Sequence, residues 1–245
     1  MAIKNYFKQL ICIGRGNSQN INFFGSSKDK NSQRDKREEP VTKILILSAN
    51  PIGTERLRFD QEIRDIEEGL RLSKYRDKFE IKTSPAIRFK DLRRELLAYR
   101  PHIVHFIGHG EVDGVKVEDN TGNAVRIAPE VLSGLLKLFS NRADRIRCVV
   151  LSACYSAAQA EDINRHIDYV IGMWDKIMDK AAIEFAVGFY DALGAGEPVE
   201  RAFDFGCNAI HQAYPDFPAH MIPVLKIREN SKGWAPWSSG KEKDV

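Results

Sequence analysis

Two short stretches of the 245-residue chain carry side chains suited to covalent chemistry. Gly108-His109-Gly110-Glu111 sets an imidazole between two glycines, and Ala153-Cys154-Tyr155-Ser156 sets a thiol among small residues. A free thiol with a pKa of about 8.5 is only a few per cent ionised at neutral pH, yet thiolate is the better nucleophile. A nearby imidazole takes the thiol proton and later returns it to a leaving amine. The glycines let the backbone bend sharply and leave room for a peptide to approach. The backbone N–H groups of Gly110 and Cys154 are candidate donors to a developing oxyanion.

Each stretch follows a continuous apolar run of strand length. Ile103–Ile107 leads to His109, and Arg147–Ser152 leads to Cys154. Runs of this kind are strands buried on both faces. If the two are neighbours in one sheet, His109 and Cys154 emerge about 5 Å apart between backbones. Further strands are expected at Lys43–Ala49, Phe79–Thr83, Tyr169–Met173 and Ile222–Ile227. Helical spacing runs from Thr54 to Tyr75 through Leu57, Ile63, Ile66 and Leu70, and again over Phe89–Tyr99, Asp179–Leu193 and Pro198–Ala213. A helix opens near Pro129, with Leu132, Leu135, Leu136 and Phe139 on one face. The turn dipeptides Asp113-Gly114 and Gly122-Asn123 predict a hairpin within Glu111–Ile127. This alternation predicts an α/β fold, a three-layer α/β/α sandwich with a mainly parallel sheet. In such a sheet ligands meet the carboxyl ends of the strands, where His109 and Cys154 lie.

The "HFIGHGE" of His105–Glu111 and the "VVLSACYS" of Val149–Ser156 together resemble the paired motifs of caspase-like cysteine peptidases. The resemblance is nearest to the bacterial CHAT domains, which are similar to separase and caspase catalytic domains. It runs from about Val41 to Gln212, and the interval of 45 residues between His109 and Cys154 is near the roughly 50 of caspases. The resemblance implies a Cys154 nucleophile, a His109 base and a Gly110 oxyanion donor, with no cofactor. Ser152-Ala153-Cys154 stands where animal caspases have Gln-Ala-Cys, so their preference for aspartate does not carry over. After Ile171-Gly172-Met173, the loop Trp174–Asp179 resembles one in separase-like relatives, where an acidic residue binds the basic side chain before the scissile bond. Asp179 is the first candidate for that role and Asp175 the second, although Asp179 also suits a helix cap before Lys180. Arg56 and Arg58 follow the first strand, where caspases place an arginine for acidic substrates, although arginines at a solvated helix start are the commoner case.

Other chemistries lack support. His102, His105 and His109 have no carboxylate or thiol cluster to complete a metal site. His105 is read as packing or as a support for His109. Gly14-Arg15-Gly16 follows no strand, and neither a phosphate-binding loop nor a serine elbow occurs. Cys148 and Cys207 read as core residues, and Cys12 is uninformative.

Composition is globular, with 43% hydrophobic and 29% charged residues, and no apolar run reaches membrane-spanning length. The formal charge is +3. Residues 1–40 hold eight basic and four acidic residues, a net +4, which leaves −1 for the other 205. A near-neutral main domain argues against nucleic-acid binding. Four cysteines without close pairing, and a start unlike a secretory leader, predict a cytoplasmic protein.

Three regions follow: a basic tail at 1–40, a caspase-like protease domain at 41–230 and a second tail at 231–245. The first tail is either a spacer or a partner-docking segment carrying Phe23-Phe24. Its Lys28–Arg37 stretch is a candidate self-cleavage site under a basic preference. The resemblance implies limited cleavage of a partner protein, in a bacterial defence or programmed-death setting, with a gasdermin-like or other effector as substrate and an activator subunit as partner. The alternative is a non-catalytic or latent interaction module on the same fold.

Overall fold

The computed structural model describes residues 41–229, 231 and 233–236. The tail over 1–40, its docking role, the Lys28–Arg37 stretch and most of the second tail lie outside the described residues. The chain divides into units of residues 1–38 and 39–245, and all the described residues belong to the second.

Strand β1 (Thr42–Ser48) is followed by α1 (Phe59–Leu72), β2 (Phe79–Ser84), α2 (Phe89–Tyr99) and β3 (Ile103–Ile107). A small antiparallel meander comes next, β4 (Gly110–Glu111), β5 (Gly114–Glu118) and β6 (Ala124–Ile127), where a hairpin was expected. The chain continues through α3 (Pro129–Lys137), β7 (Cys148–Ser152), α4 (Ala157–Asn164), β8 (Tyr169–Met173), α5 (Asp179–Ala195), α6 (Val199–Ala213) and β9 (Pro223–Ile227). The main sheet has the order β2-β1-β3-β7-β8-β9; its first five strands are parallel and β9 is antiparallel to β8.

Both faces of the sheet are covered, and the apolar runs explain why. Ile44 and Ile46 of β1, Ile103 and Ile107 of β3, and Cys148 and Val150 of β7 bury against α1, α5 and α6. Their alternate neighbours Leu45, Leu47, Val104, Phe106, Val149 and Leu151 bury against α2, α3, α4 and the meander. Period-two side chains on strands without a wet face need two helical layers, and the three-layer sandwich supplies them.

Three elements differ from the sequence reading. The helix expected from Thr54 starts at Phe59. Thr54 folds back on Pro51, donating its hydroxyl and N–H to that carbonyl at 2.7 and 3.2 Å, and the Arg58 N–H is drawn to Asp179. Residues 49–58 are therefore a loop, tied to the meander by Asn50 N–H on Glu118 Oε1 at 3.1 Å and by Ile52 N–H on the Gly122 carbonyl at 2.8 Å. Helix α4 was not anticipated, because Ala160 and Ile163 are its only buried apolar residues and leave little periodicity to read. Residues beyond 230 also pack on the sheet: Thr42 Oγ1 donates to the Pro236 carbonyl at 2.6 Å, and Trp234 stacks on Tyr169. Among the described residues, no helix is long and apolar enough to cross a membrane.

Candidate active site

Strands β3 and β7 are parallel neighbours, with Ile107 paired to Ser152 and the Gly108 N–H donating to the Ser152 carbonyl at 3.2 Å. His109 and Cys154 each lie two residues past that last pair, on adjacent strand ends. Only a glycine fits at position 110, because a Cβ there would lie 2.2 Å from the Cys154 carbonyl oxygen and 3.1 Å from Ala153 Cβ. The two segments are thus in backbone contact. In the β4–β5 ladder, the Lys116 N–H donates to the His109 carbonyl at 2.9 Å. Gly110 is then in a non-hydrogen-bonded pair with Val115, and its own N–H faces away from β5.

The His109 ring is held by a backbone carbonyl. Its Nε2 lies 2.7 Å from the Glu55 carbonyl oxygen. A carbonyl only accepts, so Nε2 carries the proton and Nδ1 is the basic nitrogen of the neutral ring. Cys154 is half-buried, and its Sγ donates to the Ile177 carbonyl at 3.8 Å. The next residue, Tyr155, has φ +55°, a left-handed conformation unusual outside glycine that costs about 1–2 kcal/mol. That turn lets α4 start immediately after the thiol, and the Tyr155 N–H reaches the Asp175 carbonyl at 3.4 Å.

The specificity candidates do not stay separate. Asp179, the first residue of α5, does not cap its own helix; its Oδ2 takes Arg58 Nε at 2.7 Å and its Oδ1 takes the Arg58 N–H at 3.3 Å. The acidic and basic rivals form one ion pair, with side chains 28% and 41% exposed. Asp175 accepts from the Lys176 N–H at 2.7 Å and from the Tyr155 hydroxyl. Arg56 is exposed and makes no ion pair among the described residues.

Beneath this surface is a polar cluster. Glu62 of α1 is 2% exposed and points at the sheet face that carries His105 and Ser152. Its Oε1 is 3.4 Å from His105 Nε2, beyond good hydrogen-bond geometry for either atom. His105 stacks on Tyr190 of α5 at 5.7 Å and makes no bond to His109. Burial lifts the Glu62 carboxyl to about 8; Asp179 adds to the rise and the Ser152 hydroxyl opposes it. Burial alone pushes the His105 ring down to about 3. At neutral pH both are uncharged, so their contact is between neutral groups. His102 stands elsewhere, its Nδ1 accepting the Lys43 N–H at 3.0 Å. The other described thiols are pushed up by burial, Cys148 strongly and Cys207 to about 12.

The family model of the CHAT domain matches residues 19–205. The chain belongs to the CHAT domain family. Its match begins ahead of the boundary expected at residue 41. This CHAT domain is 30% identical over 220 residues to a Roc-COR-CHAT protease from an unknown prokaryotic organism, covering 83% of the chain and 20% of the relative. It is 25% identical over 198 residues to a probable protease of Gillisia limnaea, covering 76% and 35%. The chain thus spans about a fifth and about a third of these curated relatives. Among solved structures, the fold is similar to a secreted C11 cysteine protease from Bacteroides thetaiotaomicron, TM-score 0.53 at 15% identity over 71% of this chain and 59% of that one. It is also similar to caspase-1 from Spodoptera frugiperda, TM-score 0.54 at 12% identity over 77% and 86%. These likenesses establish the caspase-like fold of the CHAT domain.

Two parts of the site escaped the sequence reading. The Glu55 carbonyl is a backbone atom, and no residue type announces it. Glu62 left a signal: with Ile66 and Leu70 it recurs every four residues, so a carboxylate stands in the buried stripe of α1.

Proposed function

We propose that this CHAT domain is a cysteine endopeptidase that uses Cys154 and His109. The observation that carries the reading is the placement of both side chains on adjacent ends of β3 and β7, with the Gly110 peptide against Cys154 and the His109 ring fixed by the Glu55 carbonyl. Nδ1 of His109 takes the Sγ proton, and the thiolate attacks the substrate carbonyl carbon. The N–H groups of Gly110 and Cys154 hold the oxyanion. As the C–N bond breaks, the amine leaves with the proton from His109, and a thioester forms on Cys154. Water then attacks while His109 takes its proton, and the acid and the free thiol are released.

The residue before the cut is basic in this reading. Asp179 lies two residues past Ile177, whose carbonyl touches Sγ, and Glu62 meets Ser152, two residues before Cys154. The family resemblance supports limited cleavage of one partner protein in a cytoplasmic defence pathway, with a gasdermin-like effector as a substrate class and an activator subunit as partner. The test compares the wild type, Cys154→Ala and His109→Ala on a mixed peptide library read by mass spectrometry. Cleavage after Arg or Lys that both substitutions abolish is expected; cleavage that survives Cys154→Ala overturns the assignment.

A further inference from the structure

The loop of residues 49–58 touches both halves of the candidate site. Its Glu55 carbonyl holds the His109 ring, and three residues later Arg58 holds Asp179 by side chain and backbone together. An Arg–carboxylate contact through Nε at 2.7 Å is the contact a substrate arginine would make with the same carboxylate. Beside Asp179 is Glu62, whose buried Oε1 has no hydrogen-bond partner. Asp179 thus already holds a guanidinium, in front of a buried carboxyl group whose Oε1 is unpartnered.

We propose that Arg58 is an internal stand-in for the basic side chain of the substrate, and that an incoming arginine displaces it from Asp179. This rests on the peptidase reading for its biological meaning but concerns a separate, non-covalent exchange. The ion pair is partly exposed, so water and salt compete with it, and a contact of that kind is readily exchanged. The Arg58 N–H remains on Oδ1 in a resting state, so exchange at Oδ2 alone frees half of the carboxylate. Because Glu55 and Arg58 share one short loop, movement of Arg58 reaches the carbonyl that orients His109.

The experiment uses the full chain carrying Cys154→Ala, so that no result depends on the thiol. Acetyl-arginine methylamide is titrated and read by ligand-observed NMR, with acetyl-citrulline methylamide as the neutral isostere. Arg58→Gln keeps the backbone N–H and a long stem but removes the cation. It is expected to tighten the arginine ligand about fivefold, a gain matching a partly exposed pair, and to leave citrulline unchanged. Adding Asp179→Asn is expected to abolish that gain. Unchanged or weaker arginine binding in Arg58→Gln, with a lowered unfolding midpoint, overturns the proposal and makes Arg58 a structural pin. Should Arg58→Gln fold poorly, Asp179→Asn alone decides: the proposal requires it to weaken arginine against citrulline. The library assay separates the two readings, since cleavage without the Arg58 effect refutes only the stand-in, and the Arg58 effect without cleavage refutes only the peptidase.

Discussion

Among the described residues two carboxyl groups are almost completely buried, and they are treated in opposite ways. Asp168, beside the start of β8, is 1% exposed and meets Arg145, Arg147 and Arg228 at 3.0, 2.5 and 2.9 Å. Glu62, near the carboxyl ends of the strands, is 2% exposed and meets no cation. A buried charge without partners is costly, so Glu62 holds its proton while Asp168 is ringed by guanidiniums. The difference separates a structural knot, which ties β7, β8 and β9 together at one end, from a site at the other end. The left-handed Tyr155 stands next to Cys154 at the site end, where backbone strain commonly accompanies function.

Removing each carboxyl group therefore has unequal consequences. Asp168→Ala strands three arginines, and urea unfolding is expected to show a loss of about 3–5 kcal/mol. A loss below about 1 kcal/mol would erase the contrast.

For Glu62 the effect lies in the pH dependence. The unfolded carboxyl releases its proton near 4.5 and the folded one near 8. Raising the pH through that window therefore favours unfolding. His105 acts in the opposite sense: the unfolded ring binds a proton below 6.5, the folded one only near 3, so stability falls as pH drops between those values. The two cancel between pH 4.5 and 6.5, leaving a plateau with a falling arm on each side. Unfolding midpoints are expected to show a decline of roughly 2 kcal/mol from pH 6.5 to 8. Glu62→Gln should remove that alkaline arm and keep the acid one, and a flat profile above pH 6.5 in the wild type would contradict the assignment.

Smaller effects sharpen the site end. Gly110→Ala drives a methyl group into the Cys154 carbonyl, with an expected cost of about 1–3 kcal/mol and a larger proportional loss of cleavage. Tyr155→Gly relieves the left-handed strain and is expected to shift stability by no more than about 1 kcal/mol, since the freer unfolded chain offsets the gain.

What the sequence disclosed follows the range of the interactions. Strands β1, β3, β7 and β8 were legible because five or more consecutive buried residues leave an unbroken apolar run. His109 and Cys154 were legible because each ends such a run beside small residues. The start of α1 was not, since Arg58 is held by Asp179, 121 positions away, and helical spacing alone extends back to Thr54. For the same reason Arg58 and Asp179 read as opposing specificity determinants when they are partners. Glu62 was visible as a carboxylate in an apolar stripe, but its meaning needed His105, Ser152 and Asp179 around it.

The most direct test of the account is the rate at which each thiol reacts with iodoacetamide at neutral pH, mapped by mass spectrometry in the wild type and in His109→Ala. It needs neither a substrate nor an activator. Cys148 and Cys207 are held protonated by burial, so Cys154 is expected to react at least about tenfold faster and to lose that advantage without His109. Equal rates for the three thiols, or a Cys154 rate indifferent to His109, would contradict the dyad and favour a non-catalytic interaction module on the same fold.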